Sequence, residues 1–125
     1  MTPPEAVARL EAAVTALKAR ALERSEGAAA RVETFGAGPS SLIVAASFEH
    51  ESASDDLALE VGVNARSLPG GGLAASADLS RRSGEPVREL EEATAATPAD
   101  VAALVARVEA WLQAVTEPVV EGLAS

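Results

Sequence analysis

His50 is the only histidine in the chain. It stands between Glu49 and Glu51, with Asp55 and Asp56 shortly after. Residues of these types in one stretch could form an acid–base cluster or hold a metal ion. The spacing argues otherwise. With one histidine and no cysteine, the ligands of the common zinc sites are missing. The run His-Glu-Ser-Ala-Ser-Asp-Asp lacks the spacing of a zinc-peptidase helix, and the glycine and ligand positions of an EF-hand are absent. A serine nucleophile would have only His50 as its base, and nothing in the sequence places a serine beside it. The segment reads as a solvated loop at a strand end, and neither a metal nor a cofactor is expected.

Three other features invite a chemical reading. Pro69-Gly70-Gly71-Gly72 resembles a phosphate cradle in composition, but such cradles lead into a helix and carry Lys-Ser/Thr. Here the glycines lie between two alternating segments, so a hairpin loop is expected. Arg81-Arg82 could clamp a carboxylate or phosphate, or pair with nearby acids such as Glu85. Trp111 is the one tryptophan. It serves either as an interface anchor or as the largest plug of an alanine-rich core. The four glutamates of the segment 85–92 read as a solvated sheet edge.

Composition narrows the partners. The chain has 125 residues, 10 Lys+Arg against 19 Asp+Glu, and a net charge of −9. A phosphate backbone needs a clustered basic face, and single strands need stacking aromatics. The aromatics here are Phe35, Phe48 and Trp111 alone. Nucleic acid and anionic membranes are therefore not expected. Apolar runs such as residues 42–46 are far short of a membrane span. The N-terminal residues do not read as a signal peptide, so a cytoplasmic protein is expected. The 29 alanines are about half of the apolar set. A core built from them buries little area per residue, so either the elements pack unusually close or a second subunit completes the core.

Periodicity places the elements. Thr2, Pro3 and Glu5 open a helix over 3–25, with Val7, Leu10, Val14, Leu17 and Ala21 on one stripe. The period then changes to two. A short strand is expected at 31–35, a turn at 36–40, and strands at 41–50, 57–66 and 73–82. Residues 85–91 read as an edge strand beginning at Pro86 or as a short helix. Thr97-Pro98-Ala99-Asp100 starts a C-terminal helix that Pro118 ends or kinks. The expected fold is one two-layer α+β domain spanning 1–125. It has an N-terminal helix, an antiparallel β-meander of four to five strands and a C-terminal helix, with the helices on one sheet face.

That arrangement leaves the other sheet face with small residues inside a charged rim. The candidate partner-binding set is Ile43, Ala45, Ser47, Ala58, Glu60, Gly62, Asn64, Arg66, Ala74, Ser76, Asp78 and Arg82. Gly62 in mid-strand suggests a close approach or a bulge. The expected function is non-enzymatic: an adaptor, chaperone-like or inhibitor/immunity-type module binding a protein partner, with the chain itself a homodimer. The alternatives are a small-ligand protein or enzyme with a pocket between sheet and helices, and a structural subunit of a larger assembly.

Overall fold

A computed structural model describes residues 1–38, 41–54 and 57–124. The chain runs α1 (Pro3–Arg24), β1 (Ala28–Gly38), β2 (Ser41–His50), β3 (Leu59–Leu68), β4 (Gly72–Arg81), β5 (Pro86–Ala95), α2 (Pro98–Ala114) and α3 (Thr116–Ala124). The five strands form one antiparallel sheet in sequence order. α1 and α2 begin as their sequences dictate. The Thr2 side chain accepts from the Glu5 amide, the Thr97 side chain accepts from the Asp100 amide, and a proline fills each first turn.

The helices cover one face of the sheet. Leu42, Val44, Ala46 and Phe48 of β2 turn inward, as do Leu59, Val61, Val63 and Ala65 of β3. Leu73, Ala75, Ala77 and Leu79 of β4 join them, and all belong to one cluster with Leu10, Val14, Leu17, Val105, Val108 and Leu112 of the helices. Alanines at 6, 21, 46 and 75 are fully or almost fully buried, which is how small side chains let the two layers approach. The helices run side by side in the same direction, tied by Arg9–Glu109 at 2.5 Å, by Arg20 donating to Thr116 Oγ1 at 3.3 Å, and by Arg24–Glu117. That last ion pair holds the Glu117 carboxyl below its usual range and raises Arg24, chiefly through the direct hydrogen bond. No helix among the described residues is long and apolar enough to cross a membrane.

Several boundaries differ from expectation. β1 runs over Ala28–Gly38 rather than 31–35. Ala28, Ala29 and Ala30 have weak strand preference, but pairing with His50, Glu49 and Phe48 recruits them. The strand also takes in residues 36–38 of the expected turn, while Pro39 and Ser40 lie outside the described residues. Leu57, in phase with the inward Leu59 and Val61 of the expected strand 57–66, precedes β3 and is 39% exposed. Residues 86–95 are strand, so the short-helix alternative does not hold. The three-residue loop Pro69–Gly71 closes the β3–β4 hairpin, with φ of +82° and +85° at Gly70 and Gly71.

Candidate functional site

Alternation puts every second strand residue on the face away from the helices, and the register arranges these residues in rows. Four rows cross the sheet. The first is Ser41, Arg66, Ala74 and Thr94. The second is Phe35, Ile43, Asn64 and Ser76. The third is Glu33, Ala45, Gly62, Asp78 and Glu89. The fourth is Arg31, Ser47, Glu60 and Ser80. Most of the expected partner-binding residues therefore meet on one surface.

Two ion-pair groups bound this surface. Arg66 of β3 reaches Glu92 of β5 at 3.2 Å. The bridge must cross β4 where Ala74 lies opposite Arg66, and Ala74 is only 1% exposed. At the other end, Arg82 meets Glu49 at 2.7 Å and Glu60 at 3.7 Å. Arg82 thus serves the rim by tying the end of β4 to β3 and β2.

Between the bridges the floor is low. Ser41, Ile43, Asn64, Arg66, Ala74, Ser76 and Glu92 line an open concavity of about 350 Å³. Phe35 and Ile43, opposite each other on β1 and β2, are 50% and 48% exposed and form an apolar step beside it. In the next row Gly62 faces Asp78. A Cβ on Gly62 would lie 3.0 Å from Asp78 Oδ1, so the missing side chain is where the carboxylate leans. This is the close approach that a mid-strand glycine suggests. Partial burial raises the Asp78 carboxyl above its usual range, the nearby Glu89 and Glu60 raise it further, and a hydrogen bond with Ser80 opposes them. The centre of the face is thus a shallow, electronegative slot beside an apolar step.

One residue of the expected set does not join this surface, and Trp111 lies elsewhere. Ala58 precedes β3, is 3% exposed, and its carbonyl accepts from the Arg82 amide at 2.8 Å. It is a hidden part of the hairpin end, because β3 starts two residues later than expected. Trp111 lies half-buried on α2 and packs against the core, so it fills the interior side of the molecule, away from the face. Conversely, Phe35 was missing from the candidate set. The signal was present: Phe35 is in phase with Arg31 and Glu33, so a large apolar ring shares a strand face with two charges.

The loop around His50 has its own geometry. The Ser52 amide donates to His50 Nδ1 at 3.1 Å, so Nδ1 carries no proton. Nε2–H then donates to the Glu26 carbonyl at 2.9 Å, and Ser52 Oγ donates to Nδ1 at 2.7 Å. A serine does stand beside the histidine, which the sequence did not indicate. Yet the one lone pair of Nδ1 is shared with an amide two residues away, and the ring is anchored by a backbone carbonyl. The imidazole joins the α1–β1 connection to the β2–β3 turn. Among the described residues, no three His, Asp or Glu side chains converge as a metal-binding group. Asp55 and Asp56 lie outside the described residues. No family model matches this sequence, and neither curated proteins nor solved structures give a match.

Proposed function

We propose that this chain is a non-enzymatic protein-binding module, of adaptor, chaperone-like or inhibitor/immunity type, that works in the cytoplasm as a pair of identical chains. The observation that carries this reading is the exposed Phe35–Ile43 pair set beside the shallow slot where Asp78 leans over Gly62. Large apolar side chains on an otherwise small and charged surface stabilise a complex when a partner removes them from water.

The slot selects the partner's charge. Partial burial, and after it repulsion by the charges of Glu89 and Glu60, make the Asp78 carboxylate hold its proton more tightly. An incoming lysine or arginine relieves that repulsion, whereas a phosphate or acidic peptide adds to it. The partner is accordingly a protein segment with an apolar side chain over Phe35 and Ile43 and a cation directed at Asp78.

A photo-crosslinking amino acid at position 43 tests this, with position 103 on the exposed side of α2 as control. Position 43 is expected to give a discrete protein adduct in cells that position 103 does not, and Asp78→Lys is expected to abolish it. Equal labelling from both positions, or an adduct indifferent to Asp78→Lys, overturns the reading.

A further inference from the structure

The two outer strands of the sheet are protected very differently. β5 begins at Pro86, carries Arg88, Glu89, Glu91 and Glu92, and breaks register with β4 at two places. These are the devices that stop a sheet edge from pairing with another chain. β1 pairs regularly with β2 from Ala28 to Phe35, and that stretch contains no proline and only two charged residues, Arg31 and Glu33.

The hydrogen-bond phase of β1 is fixed at its start. The Glu51 amide donates to the Gly27 carbonyl at 3.2 Å, so odd-numbered residues of β1 are the ones bonded to β2. The Ala28 amide instead turns back to the Ser25 carbonyl at 3.2 Å. The amides and carbonyls of Ala30, Val32 and Thr34 therefore point away from the sheet, and among the described residues no strand lies beyond them.

We propose that a second copy of this chain adds to that edge, β1 running antiparallel to β1 about a two-fold axis at Val32. The proposal rests on the pairing of chains put forward above and supplies its interface. Only this register suits the charges. Centred on Val32, Arg31 faces Glu33 of the second copy and Glu33 faces its Arg31. Centred on Arg31 or on Glu33, like charges meet. Centred on Ala30 or on Thr34, neither charge finds its opposite. The same register makes Val32–Val32 and both Ala30–Thr34 contacts hydrogen-bonded pairs, and sets Phe35 over Ala29 of the other copy. A two-fold interface needs such self-complementarity, each contact occurring twice. Arg31 is 72% exposed on its side chain and pairs with Glu33 two residues on in its own strand, at 2.8 Å. Both groups can therefore re-pair across the axis without leaving a buried charge. The result is a continuous ten-stranded sheet whose two outward faces lie side by side.

Light scattering over a concentration series decides the matter, with three variants. Wild type is expected to rise from the 12.6 kDa of one chain toward twice that mass. Val32→Pro removes an amide that points away from β2, so the fold's own ladder survives while the dimer is lost. Arg31→Glu is expected to raise the dissociation constant at least about tenfold. The exchange Arg31→Glu with Glu33→Arg restores the opposite pairs and is expected to return it close to wild type. If Val32→Pro fails to fold by circular dichroism, the charge series decides alone. A dimer unmoved by Arg31→Glu, or one not recovered by the exchange, overturns this interface but not the pairing of chains. A monomer at every concentration overturns both.

Discussion

The two faces of this sheet are made by the same strands, and alternate residues of each strand have opposite tasks. Inward, β2 presents Leu42, Val44, Ala46 and Phe48, all without solvent exposure. Outward, it presents Ile43, Ala45, Ser47 and Glu49, none of them buried. The inner face derives its stability from area removed from water. The outer face contributes through pairs of charges, which are weak in solvent, and keeps its apolar surface for something else. A stabilising core and the proposed recognition surface thus share one backbone, separated by nothing but parity.

Substitutions that exchange the demands of the two faces test this contrast. Phe48→Ala on the inner face empties a fully buried ring site and is expected to cost about 3–5 kcal/mol in urea denaturation. Ala74→Leu on the outer face is expected to cost about 1–3 kcal/mol, because the added atoms must push aside the Arg66–Glu92 bridge. This cost marks Ala74 as the place where the outer face is packed like a core.

Asp78→Asn is expected to stabilise the fold by about 0.5 kcal/mol at pH 7. The folded state raises the Asp78 pKa, so its contribution is fully present below the unfolded value and is lost as pH rises through the folded value. The asparagine variant does not suffer that loss. Its advantage should vanish near pH 3, where both states hold the proton, and a denaturation series from pH 3 to 7 follows it. Ile43→Thr keeps the strand's β-branched shape and is expected to change stability by no more than about 0.5 kcal/mol. In crosslinking from a neighbouring position such as 45, it should reduce the partner adduct. A stability loss comparable to that of Phe48→Ala would abolish the distinction between the faces.

Much of this arrangement is legible in the sequence, because period and capping are local. The alternation in β3 and β4 predicts which residues meet the helices, and Thr2 and Thr97 mark helix starts to the residue. What is not legible depends on register. The stretch between Phe35 and Ser41 gives no rule for aligning β1 with β2, so the Phe35–Ile43 pair emerges only from the paired strands. The Arg66–Glu92 bridge is hidden for the same reason, since it skips a strand. Ala58 was misplaced because alternation continues through residues 57 and 58, although pairing of β3 with β2 begins at Leu59. The Ser52–His50 contact arises from the conformation of a turn, which periodicity does not address.

The position of the helices on either side of the meander in the sequence has a consequence for the order of folding. Each strand pairs with the next across a short connection, whereas α1 meets α2 through residues as far apart as Arg9 and Glu109, a separation of 100. Closing a loop of that length costs about 2–3 kcal/mol more entropy than closing a hairpin of a few residues. The meander can therefore assemble from local steps, while the packing of the two helices against each other waits for nearly the whole chain. Interactions formed that late add little to the folding rate and act mainly on the unfolding rate. The Arg9–Glu109 and Arg20–Thr116 contacts are then the clasp that sets how long the molecule stays closed, and a chain still being synthesised cannot fasten it until α2 and α3 are made.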